Sequence, residues 1–221
     1  VCSSDLARYF PSDWMPGSDA LTVYLIQIAN ASGREWPDDA LDRMLTGLEA
    51  FATGRIVRGS ALPTADLTVR KLAAIEALAR HNRAKAQMLD TIGIDPALWP
   101  TSALIDWIGI LQRVKEVPKR DERLKEALSL LRSRVNFQGT VMTFSTERND
   151  ALWWLMVSGD VNANRALLAV LNEESWREDI GRLVRGTLSR QKRGQWNTTV
   201  ATAPRPGRGP PRCSSRQYIR V

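Results

Sequence analysis

Histidine is almost missing from this chain: His81 is the single one in 221 residues. Cysteine is nearly as scarce, with Cys2 and Cys213 near the ends and none in residues 3–212. That excludes a disulfide framework, a CxxC pair and a cysteine-based zinc site from the body of the protein. Long apolar runs are absent too. The longest, residues 151–157, has seven residues, against the roughly 18 that a membrane-spanning helix requires. Direct membrane insertion of this region is not expected. The opening VCSSDL has neither a basic start nor an apolar stretch, so it lacks signal-peptide character. Acidic residues are missing only from the far end: residues 201–221 carry five arginines and no acid.

That last absence decides how the charge is read. The formal charge is +7, yet residues 1–200 hold 26 basic and 24 acidic side chains, a net of +2. The basicity belongs to the tail. A nucleic-acid interface requires a basic patch on a folded face, so no nucleic-acid partner is expected. The hydrophobic fraction of 43% excludes a disordered chain and is enough for a sizeable core.

Both ends differ from the body. VCSSDL is the reading of GTG TGC TCT TCC GAT CT, the end of a common sequencing-library adapter, so residues 1–6 are read as an adapter-derived scar and set aside. Residues 201–221 are rich in Pro, Gly and Arg with no hydrophobic period. They are read as out of frame or disordered.

Between the ends, nearly every segment repeats at helical period. Ser18 opens a helix with Leu21, Tyr24, Leu25 and Ile28 as its apolar stripe, and Gly33 stops it. Pro37 starts a second, with Leu41, Met44, Leu45 and Leu48, that ends at Gly54. Thr64 caps a third through Leu72, Ile75 and Leu78, and a short piece follows at residues 85–92. Thr101 or Ser102 caps a helix through Leu104, Trp107, Ile108 and Leu111. After Pro118, Leu124, Ala127, Leu128 and Leu131 form another stripe. NFQGTVMTF is the one β-like stretch, a short hairpin or an extended loop. Ser145 caps a helix through Leu152, Leu155 and Met156, and Asp160 caps one through Ala163, Leu167 and Leu171. The last runs from about Arg177 to Arg190. Trp107, Trp153, Trp154 and Trp176 fall on these stripes and read as core. Around nine helices joined by short links make the chain all-α, as an open superhelix or a closed ring of helix hairpins.

Three constellations invite chemistry. Asp38, Asp39 and Asp42 spell DDxxD, a magnesium-diphosphate motif that must project into an apolar cavity. Here the acids follow Pro37 in a first helical turn, where their charge complements the helix dipole. No second acidic motif completes a metal cluster. Asp160, Asn162 and Asn164 begin like a calcium loop, but the sixth position is Arg165 and the twelfth Leu171, where Gly and Glu are required. His81 follows a helix with no nucleophile or carboxylate at a spacing that would make it catalytic. No catalytic site, metal site or cofactor is therefore expected. Gln191, Gly194 and Trp196 fit Q-x-x-G-x-W at a helix end, where Gly194 can take a left-handed turn and Trp196 can stack over Gln191. That is a structural motif.

The order of segments carries more than any one motif. SDALTVYLIQIANASG, LPTADLTVRKLAAIEAL, LWPTSALIDWIGILQRV, RSRVNFQGTVMTFSTE, LWWLMVSGDVNANRALLAVL and RQKRGQWNTTVA, in that order, resemble the thioester-type helical domain of bacterial alpha-2-macroglobulin-like proteins. The resemblance covers about residues 7–201. It implies an α/α toroid, a ring of helix hairpins, incomplete within residues 7–200. It implies a periplasmic parent, often lipid-anchored, that traps proteases after cleavage of a bait region, with this region as a scaffold and not an enzyme. Its partners would be target proteases, through the full-length protein, and neighbouring β-sandwich domains of the same chain. In many members a Cys-x-Glu-Gln thioester acylates the captured protease. Cys2 is followed by Ser-Ser-Asp and Cys213 by Ser-Ser-Arg, so no thioester residue is carried over. QWNTTVA continues in that family into another helix, which places a frame shift near Ala201. Outside this family, the residues leave open an α/α-toroid enzyme of the terpene cyclase or prenyltransferase type, acting through Asp38, Asp39 and Asp42. They also leave open a helical-repeat interaction module.

Overall fold

The computed structural model describes residues 5–12, 14–56, 65–144 and 152–192. Seven α-helices and one two-stranded hairpin make up the regular structure among them. No helix among the described residues is long and apolar enough to cross a membrane.

Helix α1 (Asp19–Ser32) begins where Ser18 Oγ accepts the Leu21 amide at 3.2 Å, satisfying one orphan donor of the first turn. It ends at Gly33, whose φ of 64° lets the chain leave the helix in the left-handed region. Helix α2 (Asp38–Ala52) follows Pro37 and buries Met44, Leu45, Leu48 and Phe51. Helix α3 (Ala65–Arg80) buries Leu72, Ile75 and Leu78 completely. Helix α4 (Thr101–Arg113) is buried at every residue from Thr101 to Leu111, which makes it the central helix. Helix α5 (Arg120–Ser133) is charged outside and buries only Ala127, Leu128 and Leu131. Strands β1 (Val135–Gln138) and β2 (Val141–Phe144) pair antiparallel, Val135 opposite Phe144 and Gln138 opposite Val141, around a turn with Gly139 at φ 60°. Helices α6 (Gly159–Val170) and α7 (Ile180–Ser189) complete the set.

The helices fall into two layers. α1, α3, α4, α6 and α7 contact one another in series, and all five contribute to the wall of one cavity. α2 backs α1 and α3, α5 backs α4, and the hairpin lies against α6 and α7. The described residues are thus all-α apart from the hairpin, as the periodicity requires.

Several local expectations need correction. On α1 the buried positions are Asp19, Thr22, Val23, Ile26 and Ala29, while Leu21, Tyr24, Leu25 and Ile28 are half-buried. The helix is apolar on most of its circumference, so the stripe alone does not select the core face; Tyr24 and Ile28 turn toward the cavity. The piece at residues 85–92 is a single 3₁₀ turn, Ala86–Leu89. The N-cap of α4 is Pro100, with Thr101 and Ser102 buried inside the first turn. Ser145 and Thr64 lie outside the described residues. What is described of the helix expected through Met156 is one 3₁₀ turn, Trp153–Leu155, closed by Met156 at φ 59°. Ser158, not Asp160, caps α6: its Oγ accepts the Val161 amide at 3.3 Å from an extended backbone. The final helix starts at Ile180, after a 3₁₀ turn at Glu174–Trp176.

Side chains set aside or placed in the core by sequence also shift. Leu6, set aside with residues 1–6, is 3% exposed and fits over Gly47 of α2, so it belongs with the core. Trp107 and Trp176 are buried, and Trp107 meets Trp99 edge to face at 5.9 Å. Trp154 is not core: it is 37% exposed.

Candidate functional site

The cavity shared by α1, α3, α4, α6 and α7 has a volume of about 570 Å³, within the range of small-molecule sites. Its wall is apolar along Ile28, Ala31, Ile105, Leu167 and Val184, and Leu168 and Leu188, 62% and 53% exposed, carry that surface out to solvent. Against this background stand four charged residues, Glu76 and Arg80 of α3, Arg113 of α4 and Arg165 of α6.

Glu76 is the hub. Only 1% exposed, it accepts from Arg80 Nε at 2.7 Å and from Gln27 Nε2 at 3.3 Å, with Arg113 Nη1 at 3.6 Å. Burial alone would raise its pKa, but the Arg80 charge and hydrogen bond, with Arg165 and Arg113 behind them, hold it below the usual carboxylate value. Asp106 on α4 pairs with Arg165 across to α6. Burial pushes the Asp106 carboxyl up to about 6, with the Glu76 charge adding to the rise and Arg165 opposing it. Arg113 is held less well. Its Nη1 donates to the Gly109 carbonyl at 2.9 Å, and burial lowers its pKa from the ordinary arginine value.

A second polar layer fixes this wall. Asp19 at the start of α1 receives a forked pair of hydrogen bonds from Arg70 of α3, at 2.8 Å and 2.6 Å. Gln112 Nε2 donates to the Ala169 carbonyl at 2.8 Å and to Glu173 Oε1 at 2.6 Å, tying α4 to the end of α6. Arg190 Nε donates to Asp160 Oδ1 at 2.7 Å, tying the end of α7 to the start of α6.

The residues singled out by sequence lie elsewhere. Asp38, Asp39 and Asp42 are exposed on α2, a backing helix that contributes nothing to the cavity. Asp42 pairs with Arg83 at 2.7 Å and Asp39 with Arg43 at 3.6 Å, so the motif does not project into an apolar site. Asp160 is engaged by Arg190, and Arg165, at the calcium-loop position that requires glycine, belongs to the charge cluster. His81 sits just past α3, where its Nε2 accepts from Asn30 Nδ2 at 3.2 Å. Burial, and then the Arg80 charge, lowers its pKa, which keeps the ring neutral. Gln191 is half-buried, its amide donating to the Leu188 carbonyl at 3.0 Å; Gly194 and Trp196 lie outside the described residues. No group of three or more His, Cys, Asp or Glu among the described residues is placed to hold a metal ion.

Sequence reading missed the charge cluster, although one signal was present. Asp106 stands alone inside the apolar run ALIDWIGIL, and a lone acid on an otherwise buried helix requires a cationic partner. Nothing in the spacing names Arg165 as that partner, because 59 residues separate them.

A series of five helices around one cavity, backed by a second layer, defines the architecture. No family model matches the chain, and no curated protein matches it. Among solved structures, the native conformation of E. coli alpha-2-macroglobulin, determined by cryo-EM, is similar over 85% of this chain, with a TM-score of 0.52 and 18% identity. The matched region is 11% of that protein's length, so this chain spans about a ninth of it. At this identity the likeness is one of fold.

Proposed function

We propose that this chain is part of the helical, thioester-type domain of an alpha-2-macroglobulin-like protease inhibitor, and that its role there is that of a scaffold. The observation that carries the reading is the fold likeness to E. coli alpha-2-macroglobulin over 85% of the chain. The order of sequence segments supports it independently. On this reading the series of α1, α3, α4, α6 and α7 is one arc of an α/α toroid, and further hairpins of the parent close the ring. The parent is periplasmic, meets target proteases through its other regions, and seats this domain against neighbouring β-sandwich domains. The region itself performs no catalysis.

The test begins with a continuous long read through the gene from the source DNA, followed by expression of the encoded parent. The parent is mixed with trypsin, and cleavage of a large protein substrate is compared with cleavage of a small chromogenic peptide. A trap suppresses the first and spares the second, because the caught protease still admits small molecules. Undiminished digestion of both substrates sinks the proposal. A Cys-x-Glu-Gln motif in the parent further predicts a covalent parent–trypsin adduct that survives denaturing electrophoresis.

A further inference from the structure

We propose that the cavity between α1, α3, α4, α6 and α7 binds an amphipathic carboxylate, its anionic head at Arg113 and its apolar tail along Ile28, Leu167 and Leu188. The charge count comes first. Glu76, Arg80, Arg113 and Arg165 line the cavity, and Asp106, just behind the wall, pairs with Arg165. Among these described residues one positive charge is left over. His81 is neutral and adds nothing, the Asp19–Arg70 pair lies off this wall, and Glu173, also off the wall, accepts from Gln112 Nε2 at 2.6 Å.

The surplus falls on Arg113. Arg80 and Arg165 each hold a carboxylate at hydrogen-bond distance, whereas among the described residues Arg113 faces only Glu76, at 3.6 Å. Among the described residues its one hydrogen bond uses Nη1 toward Gly109, and its side chain is 36% exposed. A guanidinium at the mouth of an apolar cavity whose charge is not matched favours an anion, and a carboxylate accepts its remaining N–H groups as a planar pair. Burial, and then the neighbouring Arg80 charge, lowers the Arg113 pKa against the opposing pull of Glu76. The rest of the wall fixes the remainder of the ligand. The apolar lining and the volume of about 570 Å³ exceed what a bare inorganic anion would fill and suit a chain of carbons.

This site stands whether or not the parent is a protease inhibitor, because it rests only on the charges and shape of these five helices. The 221-residue chain at low micromolar concentration and neutral pH is titrated with octanoate by calorimetry, and octan-1-ol, octylammonium and acetate serve as comparisons. Octanoate is expected to bind with one-to-one stoichiometry, at least tenfold more tightly than each of the other three. Arg113→Gln, which removes the charge while leaving a polar amide donor, reduces octanoate affinity at least tenfold. Leu168 lies at the exposed rim, where substitution leaves the fold intact; Leu168→Glu weakens octanoate and Leu168→Lys does not. Circular dichroism checks each variant. Octan-1-ol binding as tightly as octanoate, no saturable binding, or equal effects of Glu and Lys at position 168 overturns the proposal. So does concentration-dependent dimerisation abolished by Leu168→Lys, which assigns the face to a second copy of the chain.

Discussion

Asp19 and Arg70 are 5% and 9% exposed at their side chains and share two parallel hydrogen bonds, with Phe51 beneath the guanidinium at 5.2 Å. Removing one partner leaves a buried, uncompensated charge, so Asp19→Ala is expected to cost about 3–5 kcal/mol. Replacing both, as Asp19→Leu with Arg70→Met, is expected to recover part of that loss but not all of it, because Arg70 also faces the buried Asp66 carboxylate. Urea denaturation of the two single variants and the double variant gives the coupling directly. Asp106 makes a second residue-scale prediction, about pH. Its folded pKa, near 6, lies above the ordinary carboxylate value of 3.8. The protonated form is therefore bound more tightly by the fold than by the unfolded chain. The stabilisation from that proton is complete below about pH 4 and is lost as pH rises through about 6. Glu76, with its lowered pKa, contributes in the opposite sense, losing stability as pH falls. Asp106→Asn fixes the neutral form, so its stability relative to the parent chain should be greater at neutral pH than near pH 4. Equal differences at both would count against this.

Among the elements, α7 and the hairpin show how a glycine sets the distance of approach. A Cβ added at Gly186 would overlap the Met142 carbonyl of β2, whereas one at Gly181 would meet only the end of Arg185 at 3.7 Å. The approach is held on either side by Arg185 Nε donating to the Thr140 carbonyl at 2.9 Å and by Arg182 over the Phe137 ring at 5.7 Å. Gly186→Ala is therefore expected to lower stability by about 1–3 kcal/mol as helix and strand are driven apart. Gly181→Ala should be neutral or raise stability by up to about 1 kcal/mol, through helix propensity. Thermal melts of the two variants should move in opposite directions. The same elements show what pattern reading delivers. The NFQGTVMTF stretch forms the hairpin, and Ser18 and Gly33 bound α1, because turn and cap chemistry is local. The Ser158 cap eluded it, since the Ser158-Gly159-Asp160 segment offers two good capping residues and only the backbone path selects one.

At the scale of the molecule, charge and shape separate. The arginines of residues 201–221 account for the excess charge, and the remainder carries only +2. Retention on heparin should thus reside in that tail: the full chain should need more salt for elution than a version ending at Val200. Undiminished retention of the shortened chain would reveal a basic face on the folded body. Shape gathers what charge counting over the sequence cannot. Five helices from opposite ends of the chain wall one cavity, and Glu76, Asp106, Arg113 and Arg165 meet there from three of them.

The amino-acid sequence by itself determined the all-α class, most helix positions, the hairpin and the location of the net charge. Each of these follows from periodicity, capping or composition within a few residues. The tertiary structure alone decided which face of α1 is buried, that Leu6 belongs to the core, and that Asp38, Asp39 and Asp42 stand outside the cavity. It also decided which arginine answers Asp106 and which is left with charge to spare. Those outcomes depend on how separate helices are brought together. An α-helix fixes neighbours three and four residues apart, whereas Asp106 and Arg165 are brought together across 59 residues by the packing of α4 against α6.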